Sequence, residues 1–322
     1  MNPVSVSVII PAYNASATIG GTLGALAKQN CFQPFEVIVV DDGSVDDTGT
    51  IICTFPTVKY VRQDNAGPAS ARNHGAKLAL GEFLAFTDSD CIPHEDWIAQ
   101  LMAGFGYPAP PEAGQVGVVA GSYGTANPES RLARCVYKEI LWRHNHLMPD
   151  YPNSFGSYNF CVRKNVFEAV GGFNIDYRAA SGEDNDLSYK ITRSGWRIIF
   201  QRKALVDHYH PEAVAKYLKE QFRHGFWRIK MYRDHPAMMR GDGYTFWKDI
   251  IEMPLSACAF FVWFILPPFL VFEIIYGLIV TLCFFDGIFF GFVLLFRAFA
   301  RLFGFSTGIL SILFKKRVKI FQ

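Results

Sequence analysis

The sequence predicts an α/β fold, a mostly parallel sheet with helices on both faces, followed by a separate apolar C-terminal region. Three observations carry this prediction. Short apolar runs alternate with helix-period segments along the first part of the chain. Polar clusters fall at the ends of three of those runs. Half of the 322 residues are apolar, unevenly placed, and the stretch from about residue 253 to 314 is nearly continuously so.

The elements follow in order. Val4, Val6, Val8 and Ile10 alternate with Ser5, Ser7 and Ile9 up to Pro11, the period of a strand. Asn14-Ala15-Ser16 offers helix caps, with Ile19, Leu23 and Leu26 at helical spacing behind them. Val37-Ile38-Val39-Val40 is continuously apolar, as a strand covered on both faces requires, and ends in Asp41-Asp42-Gly43-Ser44. Asp46-Asp47-Thr48 can start the next helix, and Lys59-Tyr60-Val61-Arg62 is a third short strand. Pro68, a favoured helix-start residue, opens a helix over residues 69–80, and residues 83–87 form a fourth strand ending in Asp88-Ser89-Asp90. In such sheets ligands bind beyond the carboxyl ends of the strands. Pro11-Ala12-Tyr13, Asp41-Asp42 and Asp88-Ser89-Asp90 all fall there. Further on, residues 117–121, 158–162 and 196–200 read as strands, and 128–145, 164–170, 187–193 and 212–233 as helices. Residues 107–112, rich in proline, read as an exposed loop.

A formal net charge of +2 gives no argument for a nucleic-acid partner. The seven cysteines are scattered without a C-x-x-C pair, which speaks against a zinc site or a disulfide framework and fits a reducing compartment. Met1-Asn2-Pro3-Val4 shows no basic then apolar leader, so the first domain is expected to be cytosolic.

With these motifs in order, the chain resembles glycosyltransferase family 2, inverting sugar-nucleotide-dependent enzymes of the GT-A fold. The resemblance rests on residues 6–14, on Val39-Val40-Asp41-Asp42-Gly43-Ser44, and on Asn65-Ala66-Gly67 with Ala71-Arg72-Asn73-His74-Gly75. Asp88-Ser89-Asp90 and Gly182-Glu183-Asp184 complete it, and together these cover roughly residues 4–230. The resemblance implies a donor site in which Asp42 meets the nucleotide base and Pro11 and Tyr13 wall the pocket. The alternative for Asp41 and Asp42 is capping of the following turn, and for Tyr13 ordinary packing. Arg72 could reach a phosphate or the base. Asp88 would contact the ribose or sugar, and Asp90 would bind the Mg²⁺ or Mn²⁺ that bridges the diphosphate. Family alignment places the general base at Asp184, with Glu183 orienting or binding the acceptor. A late histidine completes the metal site in some relatives. If 208–210 is extended, His208 and His210 point to opposite sides, so at most one is a ligand, and His208 is preferred.

Residues 212–235 form an amphipathic helix rich in basic and aromatic side chains. Many processive relatives carry Gln-x-x-Arg-Trp here. In this chain Arg223 follows Gln221 by two positions and Trp227 is displaced, which puts processive polymerisation in doubt. Arg223 and Trp227 remain candidates for contact with the diphosphate or acceptor, or for a membrane interface.

Between residues 253 and 285 only Glu273 is charged, about 50 Å of helix at 1.5 Å per residue, interrupted by Pro267-Pro268. A second apolar run contains Arg297 and Arg301 and ends in Lys315-Lys316-Arg317-Val318-Lys319, a cluster expected in the cytosol. Two crossings are the reading preferred here, and a re-entrant hairpin followed by an interfacial helix is the rival. The two arginines would either snorkel to headgroups or hold the phosphate of a lipid-linked acceptor.

The expected organisation is a cytosolic GT-A catalytic domain over 1–235, with a nucleotide-binding half over about 1–92 and an acceptor half over about 93–211. A linker over 236–252 and a membrane region over 253–322 follow. The expected partners are a nucleotide-diphosphate sugar, a UDP- or GDP-sugar, a lipid-linked or polysaccharide acceptor, and membrane lipids. The expected setting is the cytosolic face of the cytoplasmic membrane. A polyprenyl-phosphate glycosyl synthase is the nearest alternative. A nucleotidyltransferase would normally need a glycine-rich loop where Pro11-Ala12-Tyr13-Asn14 stands, and a non-catalytic nucleotide-binding scaffold sits poorly with intact Asp90 and Asp184.

Overall fold

A computed structural model describes residues 4–106, 115–241 and 247–314. The loop 107–112 and the basic cluster 315–319 lie outside the described residues. Contacts divide the chain into two compact units, one of residues 1–126 and 149–209, the other of 127–148 and 210–322.

The first unit opens with β1 (Val6–Ala12), α1 (Ile19–Leu26), β2 (Phe35–Asp41), α2 (Thr48–Ile52), β3 (Val58–Arg62), α3 (Pro68–Leu78) and β4 (Phe83–Thr87). The expected alternation is therefore present. It continues with β5 (Cys91–Pro93), α4 (Trp97–Gly104) and β6 (Val116–Thr125). The chain then contributes α5 (Arg131–His146) to the second unit. It returns for β7 (Asn159–Arg163), α6 (Lys164–Ala169), α7 (Glu183–Arg193) and β8 (Arg197–His208). The strands form one mixed sheet in the order β3-β2-β1-β4-β7-β6-β8-β5. β1 to β4 are mutually parallel, while β7 runs against β4 and β6, and β5 against β8. β1 lies between β2 and β4, so the strand order reverses beside it, and the ligand rim sits beyond Ala12, Asp41 and Thr87.

Val8, Ile9, Ile10, Val39, Val40, Leu84 and Phe86 are all inaccessible to solvent, which explains the unalternated apolar runs. Close packing also fixes Gly75: a Cβ there would lie 2.5 Å from Ile9 Cγ2.

Two differences from the sequence reading matter for the site. The last strand does not stop at Phe200 but runs to His208, and β5, unforeseen, pairs with its end. The polar stretch Gln201-Arg202-Lys203 concealed this, because a register shift lies between Gly121 and Ser122 of the neighbouring strand. Buried Asn159 holds the irregularity. Its amide Nδ2 donates to Ser122 O at 3.0 Å and Ala204 O at 2.9 Å, and its Oδ1 accepts from Trp97 Nε1 at 2.8 Å.

The second unit packs α5 with α8 (Val214–Asp234), α9 (Trp247–Phe261), α10 (Leu266–Thr281) and α11 (Phe284–Leu313). The long apolar run is thus broken into α9 and α10, with Pro267 and Pro268 in the first turn of α10, where their missing N–H groups cost nothing. Residues 247–252, linker-like in composition, are the first turns of α9 and bury Lys248, Asp249 and Glu252. Helices α8 and α11 approach through glycines: a Cβ at Gly225 would lie 2.1 Å from Arg301 O, and one at Gly304 would lie 2.0 Å from Phe222 O.

The expected exposure of the two α11 arginines is corrected. Arg297 is buried between Glu139 and Glu252, both at 2.7 Å, and Arg301 binds Asp249 at 2.9 Å and Gln221 at 2.8 Å. Neither snorkels and neither is free to hold a phosphate, because carboxylates from α5 and α9 already neutralise them. All seven Asp, Glu, Lys and Arg side chains between Trp247 and Leu313 are paired inside this unit. Lys248 bonds Glu252 and Glu273, and Asp286 bonds Arg131. By length and composition, Trp263–Thr281 and Phe284–Leu313 are each able to cross a membrane.

Asn159→Ala should strip partners from three buried polar groups, each lost partner costing about 1–3 kcal/mol. Urea unfolding should show a loss of stability of at least about 2 kcal/mol. An unchanged midpoint would show that the bulge is held by other contacts.

Candidate active site

The rim is built by loops that lace adjacent strand ends together. Asn14 sits in the left-handed region at φ 49°, which a short amide side chain tolerates. Its N–H donates to Ser44 Oγ at 3.0 Å, and its Oδ1 accepts from Val45 N at 2.9 Å. Ala15 N donates to Thr48 Oγ1 at 2.7 Å. This holds the loop after β1 against the loop after β2. Pro11 is half-buried, and Tyr13, 53% exposed, is open to a ligand.

The paired carboxylates after β2 have separate duties. Asp41 is buried and accepts from Ser44 N at 2.7 Å, Tyr60 Oη at 2.8 Å and Arg62 at 3.0 Å. Asp42 accepts from Gln63 Nε2 at 2.7 Å, Ala66 N at 2.9 Å and Gly67 N at 2.8 Å. Three of about four lone-pair positions of Asp42 are thus used within the chain, shaping the 63–67 loop. Asp41 thus caps the following turn through Ser44, whereas the Asp42 carboxylate holds the distant 63–67 loop and not its own turn.

Arg72 on α3 is buried and joins two motifs distant in sequence. It donates to Asp88 Oδ1 at 2.7 Å and to Glu183 Oε1 at 2.9 Å, with its guanidinium 5.4 Å from the centroid of the Phe173 ring. Each end of a guanidinium fork suits a carboxylate, so one residue fixes the β4 end and the start of α7 together. Neighbouring Asn73 spends its amide on the Phe173 backbone, donating at 2.8 Å and accepting at 2.9 Å. Gly67 precedes α3 at φ 91°, and a Cβ there would lie 2.7 Å from Arg178 O.

Helix α7 begins after Gly182, itself at φ 97°. Its first turn holds Glu183 and Asp184, and Asp184 Oδ1 accepts from Asn185 N at 2.8 Å. Burial, with the adjacent Asp184 charge, pushes the Glu183 carboxyl up to about 7 against the pull of Arg72. Glu183 Oε2 is buried with no hydrogen-bond partner among the described residues. Burial also raises the Asp184 pKa from its ordinary value, opposed by the Asn185 N–H and by Arg72.

The triplet after β4 turns back at once: Cys91 N donates to Asp88 O at 3.1 Å, and Thr22 Oγ1 donates to Ser89 O at 3.0 Å. β5 then pairs with the end of β8, setting Cys91 opposite His208, and Tyr209 N donates to Asp90 O at 3.0 Å. His208 Nε2 lies 3.5 Å from Asp90 Oδ1. Ligand atoms of Asp90, Cys91 and His208 lie within 4.8 Å of one another. A carboxylate and an imidazole suit a divalent cation such as Mn²⁺. Burial keeps the Cys91 thiol protonated, pushing its pKa up further beside the Asp90 and Asp88 charges, so the sulfur is the poor member of the set.

Tyr123 of β6 meets the His208 ring edge-on at 5.4 Å and stacks on Tyr158 at 3.6 Å. Neither tyrosine stood out in the sequence: Tyr158 lay in a stretch read only as a strand, and Tyr123 lay just past the strand read over 117–121. His210 belongs to the second unit, its N–H bonded to Asn127 Oδ1 at 3.1 Å. Arg223 and Trp227 also belong there, both half-buried on α8. The residues brought together in the first unit are Arg72, Asp88, Glu183 and Asp184, and, through the triplet, Asp90 with His208.

The chain is similar to known proteins in sequence and in fold. Residues 7–170 match the glycosyl transferase family 2 profile. A validoxylamine A glucosyltransferase of Streptomyces hygroscopicus is 30% identical over 62% of this chain and 54% of its own, so the chain spans about half of that relative's length. Glycosyltransferase AglE of Haloferax volcanii is 30% identical over 70% of this chain and 74% of its own. Among solved structures, the mannosyltransferase PcManGT from Pyrobaculum calidifontis, in complex with GDP-Man and Mn²⁺, superposes with a TM-score of 0.57. That match covers 94% of this chain and 88% of that one at 19% identity, a likeness of fold. A profile match over half of the chain makes this protein a member of glycosyltransferase family 2.

Proposed function

We propose that the chain is a metal-dependent inverting glycosyltransferase that moves a sugar from a nucleotide-diphosphate sugar to a lipid-linked or polysaccharide acceptor at a membrane face. The observation that carries this reading is the Arg72 bridge between Asp88 and Glu183. It ties the carboxylates suited to the donor to the helix that bears the base.

In this reading Tyr13 and Pro11 flank the base, and Asp42 shapes their pocket through the 63–67 loop. Asp88, held by Arg72, faces the donor's ribose or sugar. Asp90 and His208 would hold Mg²⁺ or Mn²⁺, which supplies positive charge to the departing nucleotide diphosphate. Asp184 accepts the proton of the attacking hydroxyl as the new glycosidic bond forms and the bond from the anomeric carbon to phosphate oxygen breaks. The raised Asp184 pKa makes it a better proton acceptor than a solvated aspartate. Glu183, with one oxygen on Arg72 and the other without a protein partner among the described residues, can take a hydrogen bond from the acceptor. Arg223 and Trp227 are proposed to meet the diphosphate or acceptor from α8. Membrane association is supported by apolar side chains exposed along α9 to α11, among them Phe261, Trp263, Phe296 and Phe303.

Asp90→Ala should abolish turnover and metal-dependent donor binding in a Mn²⁺ titration with a panel of nucleotide sugars. Near-normal release of nucleotide diphosphate by that variant would sink the metal assignment. Asp184→Asn should bind donor normally and lose transfer by about 10²-fold or more, the scale of a lost general base. Retained transfer would instead favour a phosphate acceptor, whose oxygen needs no base. Activity needs Asp184 deprotonated, so kcat/KM should fall as pH drops through its raised pKa, with the acid limb above about 4, the ordinary aspartate value. An acid limb at or below that value would contradict the role.

A further inference from the structure

The second unit carries its charges inside and its apolar side chains outside. On α11 the exposed residues Phe292, Phe296, Phe303 and Leu310 follow at intervals of four and seven, one stripe along the helix. On α10, Val271, Ile275 and Ile279 do the same at intervals of four. The charged side chains of α9 to α11 are paired within the unit, as found above.

Composition alone would let α11 cross a bilayer, but its packing opposes this. α8 runs alongside it in the same direction: Tyr217 meets Arg297, Gln221 meets Arg301, and Phe226 O faces Gly308. In its middle turns α8 presents Lys219 to solvent and carries half-buried Arg223 and Arg228. Its 21 residues span about 32 Å, close to the whole hydrocarbon thickness of about 30 Å. If α11 stood upright in a membrane, α8 would stand beside it and carry those cations to hydrocarbon depth, at a large desolvation cost. Laid flat, the same pair puts the Phe292–Leu310 stripe into acyl chains and leaves α8's lysines at or above the headgroups, where anionic lipid attracts them.

We propose that α9, α10 and α11 lie in one leaflet and do not cross the bilayer. The α10–α11 turn then stays on the same side of the membrane as the first unit. This rests on the membrane association proposed above.

Native cysteines allow a test. Cys53 is exposed in the first unit and Cys283 in the α10–α11 turn. With Cys31→Ser and Cys258→Ser in place, and the buried cysteines kept, one variant retains Cys53 and another Cys283. Sealed membranes from cells expressing each full chain are treated with a membrane-impermeant maleimide from either face. The expected result is that the face opposite Cys53 leaves Cys283 at background, and that Cys283 reacts once detergent is added. Labelling of Cys283 from the face opposite Cys53 overturns the proposal and establishes a crossing hairpin. The pair Phe296→Glu and Phe303→Glu, at exposed positions that leave the buried core intact, should cut flotation of purified protein with vesicles containing phosphatidylglycerol. Unchanged flotation would remove this stripe as the attachment face. If the unaltered chain neither sediments with membranes nor floats with vesicles, and runs as a soluble oligomer, the membrane reading itself fails and a second copy covers the surface.

Discussion

A buried guanidinium between two carboxylates is the constraint on which the candidate active site turns. Arg72 has almost no exposure, so its charge must be met inside the protein. Asp88 and Glu183 meet it from the end of β4 and the start of α7. Removing either would leave a desolvated charge, a far larger penalty than the net worth of the pair. The Asp88 carboxylate and the start of α7 therefore cannot drift apart independently. The same proximity accounts for the raised Asp184 and Glu183: burial disfavours their charge, and a single arginine cannot fully compensate two neighbouring acids.

The second unit applies the same rule on a larger scale. Arg143, Lys248, Arg297 and Arg301 face Glu139, Asp249, Glu252 and Glu273 across α5, α9, α10 and α11. Four cations and four carboxylates balance within a region whose outer surface is apolar. Such a network gives its helices little stability over a well-packed apolar core, but it fixes their register, since any slip would strand a charge. The glycines at 225, 304 and 308 let α8 and α11 approach closely enough for that register to hold.

Much of the first unit was legible in the sequence because its signals are local. A buried parallel strand must be apolar on both faces, and Val37 to Val40 and residues 83–87 show it directly. Motifs at strand ends must lie on one rim, whatever the packing. The missed elements were those held by distant partners. β5 exists only because β8 pairs with it, and the polar continuation of β8 is a strand only because Asn159 holds its irregular pairing with β6. Tyr123 gained its place beside His208 by the same route. Asp42 illustrates the converse: its position at the rim was readable, while its bonds to Gln63, Ala66 and Gly67 depend on how a loop 20 residues away folds back.

The sequence by itself determined the alternating α/β unit, the carboxylates at its rim and the apolar character of the C-terminal helices, because each is written in periodicity and spacing. The tertiary structure alone decided what those carboxylates hold and which way the apolar helices face. Arg297 and Arg301 looked like membrane charges in search of headgroups, and folding supplied Glu139, Asp249 and Glu252 instead. The physical reason is the same at both places. A charge's environment is set by groups brought to within a few ångströms by packing, and sequence separation carries no record of that distance.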